Sequence, residues 1–208
     1  MLEQYNDVMN QLFLEYQEGD RQQLLKSAKE NYFQLTGKLH EESPYFETKM
    51  NAFNHWFVYS YQENNSQERV IDLFLNKKKS LDKEIVQTLQ NTRYSLFEYL
   101  RNNLKGQVVF YDWLKREKVI LDSSHKDLGF EKKDMLIARL APFQDHHYCL
   151  PGFYVLPGDV KRLVRRQANL VRKQKVQMSE EDFLLKLESM KCKSLLYPHL
   201  GPTQIFTF

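Results

Sequence analysis

Between Asp159 and Glu180 the chain carries seven cations and no acid: Lys161, Arg162, Arg165, Arg166, Arg172, Lys173 and Lys175. Four of them are arginine, whose planar fork of donors suits phosphate oxygens. Val160, Leu163, Val164, Ala168 and Val171 recur at helical spacing through the same stretch. A helix from Val160 to about Gln177 would therefore bury an apolar stripe and hold the charges off it. Such a helix can lie along a nucleic-acid backbone, on anionic lipid, or in an acidic protein groove. Its apolar face lacks the Trp/Phe/Leu content that favours insertion into lipid, which ranks a membrane last. The plain alternative is that the charges are solvated, or paired with the acidic N-terminal half of the chain.

Asp145-His146-His147-Tyr148-Cys149 is the one cluster with metal-ligand chemistry. On a strand His147 and Cys149 would share a face, giving two ligands where zinc takes three or four. Cys192 or His199 would have to complete a site from the tail. With no second CxxC or HxxxH element, no metal is expected. Cys149 as a nucleophile lacks an orienting signature, and His55 reads as a core histidine bonded to a nearby oxygen. Glu41-Glu42 and Glu180-Glu181 sit where acids favour helix starts. There is no GxxxxGK[ST], GxGxxG or GxSxG, so nucleotide-binding and hydrolase chemistry lack their basic parts and no cofactor is expected.

The elements that would position these residues can be read from pattern. Leu2, Tyr5, Met9, Leu12, Phe13 and Tyr16 form an amphipathic helix stopped at Gly19. Asp20 is a natural cap for a second helix with Leu24, Ala28, Leu35 and Leu39 inward and Tyr32 alongside. Ser43-Pro44 opens a third, apolar over most of its circumference through FNHWFVYSY, which predicts a central buried helix. Two short helices follow, capped by Ser66 and Ser80, the first closed by Lys77-Lys78-Lys79. Tyr94–Leu100, Gln107–Tyr111, Lys118–Leu121, Met135–Leu140 and His147–Leu156 then read as strands joined by polar or Gly/Pro turns. Five short strands fit a small, partly open antiparallel barrel. Ser179 with Asp182 reads as a capping-box variant for a last helix with Phe183, Leu184, Leu187 and Met190 inward.

In order, FNHWFVYSY, ERVIDLFL, YSLFEYL and DMLIARLAP resemble a family of uncharacterised bacterial cytoplasmic proteins with a helical front and a β-rich rear, over about residues 50–157. These are packing motifs, so the resemblance implies a fold and no activity. A Cys-rich metal-binding tail, which it would imply for some members, has no counterpart after Cys192.

The chain of 208 residues, 42% hydrophobic and 13% aromatic, is long and apolar enough for a packed globular core. No apolar run reaches the roughly 18–20 residues that cross a bilayer, and the first residues do not read as a secretion signal. A soluble cytoplasmic protein is the expectation, with Cys149 and Cys192 as buried thiols. Residues 1–90 hold ten Lys/Arg against fourteen Asp/Glu, a balance of −4, and residues 91–208 hold twenty against thirteen, +7. An anionic partner would therefore meet the C-terminal half.

The fold expected is α+β: a helical lobe over 1–92, a five-stranded antiparallel barrel-like sheet over 93–157, and a basic helix, a capped helix and a tail over 158–208. The leading functional expectation is a non-enzymatic binding protein that contacts nucleic acid through the basic helix and the barrel surface. A protein–protein adaptor whose basic helix docks on an acidic partner is the alternative, and an enzyme ranks third. Single-stranded nucleic acid would be favoured if Phe110, Tyr111, Tyr148, Phe153 and Tyr154 lay exposed for stacking.

Overall fold

A computed structural model describes residues 2–62, 68–78, 80–125 and 128–208. The expected cap Ser66 and the third lysine of the run, Lys79, lie outside the described residues.

The front of the chain folds as five helices: α1 (Leu2–Glu15), α2 (Gly19–Thr36), α3 (Phe46–Tyr59), α4 (Val70–Lys77) and α5 (Lys83–Gln90). Tyr5, Met9, Leu12 and Tyr16 of the first stripe are all buried. On α2 the inward stripe is Ala28, Tyr32 and Thr36, so Leu35 lies off it and is 46% exposed. Gly37 ends this helix at positive φ, and Leu39 folds back into the core from the following loop. Three caps differ from the sequence reading. Tyr45, not Ser43, stands at the N-cap of α3, and Pro44 lies in the turn before it. Asp20 stands in the first turn of α2, behind Glu18 at the N-cap. Asp82, not Ser80, caps α5, accepting from the Glu84 N–H at 2.7 Å. The central helix α3 buries eight residues, among them Phe53, Trp56, Phe57 and Tyr59. Its Phe57 ring meets Tyr16 edge-on at 5.1 Å and Tyr61 at 5.7 Å.

The five runs read as strands all join one antiparallel sheet. They are β1 (Arg93–Asn102), β2 (Val108–Asp112), β3 (Glu117–Ile120), β4 (Met135–Phe143) and β5 (His146–Cys149), in the order β3-β2-β1-β4-β5. The last run continues as a two-residue strand β6 (Tyr154–Val155), also paired to β4. Cys149 opposes Leu140 and Tyr154 opposes Ile137. A step of five residues therefore faces a step of three, a bulge with two extra residues. Pro151 cannot donate to the ladder, and Gly152 sits at φ 90°. A Cβ on Gly152 would stand 2.5 Å from the Ala52 nitrogen of α3, so the bulge presses directly on the helix backbone. The sheet curls until its two edges touch. Leu121 bridges His147, and the Asp122 N–H donates to the His147 carbonyl at 2.9 Å. Alternate residues then face two cores. Phe97, Leu136 and Ala138 line the inside of the half-barrel with Phe110 and Val119, and Leu96, Met135 and Ile137 face the C-terminal helices.

Those helices are α6 (Lys161–Arg172), α7 (Glu180–Leu196) and the single turn α8 (Pro202–Ile205). The Ser179 hydroxyl caps α7 by accepting from the Asp182 N–H at 3.0 Å. Phe183, Leu184, Leu187 and Met190 pack with α6, while Leu185 packs with the N-terminal helices. Helix α7 thus spans between the two cores. No helix among the described residues is long and apolar enough to cross a membrane.

Candidate nucleic-acid interface

Helix α6 forms where its apolar stripe dictates. Val160, Val164, Ala168 and Val171 are buried against Leu96, Ile137 and α7. The helix ends at Arg172, five residues before the expected Gln177, because Gln174 takes a left-handed conformation at φ 53°. The Gln174 N–H donates to the Val171 carbonyl at 2.8 Å and the Lys175 N–H to the Leu170 carbonyl at 2.9 Å. Those are the two bonds of a Schellman close, a motif that usually uses glycine. Lys173 and Lys175 consequently sit in a turn instead of on a helix face.

The seven cations fall into two groups. Lys161 pairs with Asp134 at 3.2 Å. Arg165 donates to Glu98 at 2.7 Å and lies over the Trp113 ring, 5.4 Å from its centroid. The Trp113 indole N–H donates to the other Glu98 oxygen at 2.9 Å, closing a three-residue cluster around a carboxylate only 7% exposed. Arg172 is half-buried and leans on Asn169 at 3.5 Å. The acids that hold Lys161 and Arg165 lie on the loop before β4 and on β1, and neither comes from the acidic N-terminal lobe. Arg162, Arg166, Lys173 and Lys175 form the second group. All four are exposed, with no acidic partner among the described residues.

The tethered cations also fix what lies beside α6. Lys161 ties it to the loop that carries exposed Lys132 and Lys133, just before Asp134. Arg165 ties it to the β2–β3 hairpin through Trp113; the turn carries exposed Lys115 and Arg116, and β3 carries exposed Lys118. Lys115 is taken by Glu180 at 2.7 Å. The outer face of α6 is therefore flanked by further lysines and an arginine on both sides.

The aromatic residues do not make a stacking row. Phe110 and Tyr154 are core residues. Tyr111 stands edge-on to Trp113 at 5.3 Å, Tyr148 packs between His125 and Phe143, and Phe153 packs beside Phe130. Burial removes Phe110 and Tyr154 from any stacking surface, while Tyr111, Tyr148 and Phe153 stay half-exposed beside other rings.

The His/Cys cluster is woven into the half-barrel. His147 and Cys149 share a face, as the alternation requires, opposite Pro142 and Leu140. The Cys149 N–H donates to His125 Nε2 at 3.1 Å, and burial pushes the Cys149 thiol up to about 12. Cys192 is also buried, its Sγ 3.8 Å from the Lys38 carbonyl, and both thiols are free. Among the described residues no three His, Cys, Asp or Glu side chains gather as metal ligands.

Sequence reasoning passed over a buried polar cluster. Lys49 of α3 is 1% exposed, and its ammonium donates to the Thr36 hydroxyl at 2.5 Å and the Thr36 carbonyl at 3.2 Å. It lies 4.0 Å from Glu188 of α7, whose two carboxylate oxygens accept from the Tyr32 and Tyr94 hydroxyls. Burial lowers the Lys49 pKa, opposed by the Glu188 charge. Burial and the same carboxylate raise both tyrosines. The signal was present: Lys49 stands four residues before Phe53 on the inner face of α3, and Glu188 lies between Leu184 and Cys192 on that of α7.

The fold and the surface together define an α+β protein with a curled antiparallel half-barrel and a cationic helix laid over one sheet face. The chain belongs to DUF7986, a family of unknown function whose model matches residues 6–186. That span contains the whole 50–157 stretch on which the resemblance to an uncharacterised family rests. No curated protein and no solved structure matches the chain.

Proposed function

We propose that this chain is a non-enzymatic binding protein that contacts nucleic acid through its phosphate backbone, with the outer face of α6 as the centre of the contact. The observation that carries the reading is the division of the α6 cations. Two are held by carboxylates on β1 and on the loop before β4, and four are exposed with no acidic partner among the described residues. Arg162 and Arg166 are one turn apart on the helix, and Lys173 follows near its end, so the charges extend over the roughly 18 Å of a 12-residue helix. A row of this length spans several phosphates of one strand. Backbone contacts position a protein without reading bases, so binding is expected to be insensitive to sequence. With Phe110 and Tyr154 in the core and Tyr111, Tyr148 and Phe153 half-buried against other rings, charge supplies most of the affinity, and a duplex offers it without need of stacking.

Fluorescence anisotropy with labelled duplexes across a salt series tests this. The expected result is a logarithmic slope of affinity against salt of roughly −3 to −4, as four released counterions would give. Affinity that is flat with salt, or no binding at low salt, would overturn the reading. Loss of an acidic protein partner from pull-downs, with nucleic acid never bound, would favour the adaptor instead.

A further inference from the structure

Where α3, β1, β4 and the 150–153 bulge converge there is a small cavity of about 10 Å³, lined by His55, Trp56, Tyr94, Arg139, Pro151 and Gly152 among others. Arg139 of β4 is 8% exposed and has no carboxylate within ion-pair distance among the described residues. Its guanidinium sits between the Tyr59 and Tyr94 rings, 5.0 Å from each centroid. One terminal nitrogen reaches the Thr92 hydroxyl at 3.4 Å and the other the Ser60 hydroxyl at 3.1 Å. The Nε–H finds no acceptor among the described residues. A buried charged donor left in this state is costly.

On the other wall His55 is buried and neutral, held down to about 3 by burial and by the Arg139 charge. A neutral imidazole carries one N–H and one bare nitrogen, and the bare nitrogen can accept. The cavity is therefore lined by the residue with the unpaired donor and by a neutral imidazole, in a volume of about one water. A halide would satisfy Arg139 but could not donate to the imidazole lone pair. Water does both jobs.

We infer that this cavity is a binding site for a single structural water that accepts from the Arg139 Nε–H and donates to His55, joining the central helix to the sheet beside the bulge. The site is independent of the basic face of α6.

A high-resolution crystal structure of the full chain tests it. The expected result is one density peak within ~3.2 Å of both Arg139 Nε and a His55 ring nitrogen. A cavity without a peak would overturn the inference, and so would a peak that gains anomalous signal after a bromide soak. Arg139→Met keeps most of the side-chain volume and deletes the donor, and its crystal should lose the peak. A peak that persists in that variant would show that Arg139 does not hold the water. If the variant does not fold, the wild-type density alone decides.

Discussion

At the scale of single residues, the interior polar groups have the largest consequences. Glu188 holds two tyrosine hydroxyls and faces the Lys49 ammonium. Removing one member of a buried pair costs more than removing both, because the survivor stays charged without compensation. Glu188→Leu is therefore expected to lose about 3–5 kcal/mol in urea unfolding. Lys49→Met/Glu188→Leu should recover part of that loss. A double variant no more stable than Glu188→Leu would show that the ammonium is not the source of the cost. The buried histidines give a pH signature. His55 is held down to about 3, and burial also lowers His125 and His147. Each binds a proton more readily unfolded than folded. Their stabilisation is thus complete above the unfolded value near 6.5 and is lost as pH falls from there toward the folded value, at up to about 1.4 kcal/mol per pH unit for each. Glu15 and Asp122, lowered by hydrogen bonds and nearby cations, act in the same direction at lower pH. Thermal melts between pH 7 and 5 therefore read the histidines. The melting temperature should fall across that range and fall less steeply in His55→Gln. Equal slopes would remove His55 from the account.

At the scale of elements, the sequence carried the pattern more faithfully than the junctions. Periodicity alone placed α1, α3 and the five strand runs, because each buries a stripe or a face that propensity and spacing both mark. It missed where α6 ends, since a Schellman close on Gln174 breaks the glycine rule. It carried His147–Leu156 through as one strand, since nothing local shows that residues around Gly152 must fit against the α3 backbone. The Arg165–Glu98–Trp113 cluster was invisible for a related reason: its members lie 15 or more positions apart in sequence and meet only through sheet register. The bulge makes a direct test. Gly152→Ala would push a Cβ to 2.5 Å from the Ala52 nitrogen and strain a left-handed backbone. Gly106→Ala, at φ 76° with nothing within 4 Å, adds only the backbone strain. Gly106→Ala should cost about 1 kcal/mol and Gly152→Ala several times that. Similar losses would mean that the bulge can lift off α3 freely.

At the scale of the whole molecule, charge is separated along the chain, −4 in residues 1–90 and +7 in residues 91–208. The packing keeps the two from cancelling at α6, where the neutralising acids, Asp134 and Glu98, come from the loop before β4 and from β1. A separated field of this kind would steer a polyanion toward the α6 side. The seven cations were legible in the sequence. Their division was not, because which of them meets an acid depends on tertiary contacts. That division also decides how the reading should be tested, since reversing Arg165 would break the cluster with Glu98 and confuse binding with stability. The most direct measurement compares the wild type with Arg162→Glu/Arg166→Glu/Lys173→Glu/Lys175→Glu, leaving Lys161 and Arg165 in place, by duplex-binding anisotropy at low salt beside a thermal melt. Exposed substitutions change stability by about 0.5 kcal/mol or less each, so the melt should barely move. Affinity should drop by about a hundredfold or more as four phosphate attractions become repulsions. A wild type that does not bind at low salt, or a folded variant that binds as tightly as the wild type, would contradict the assignment of this face.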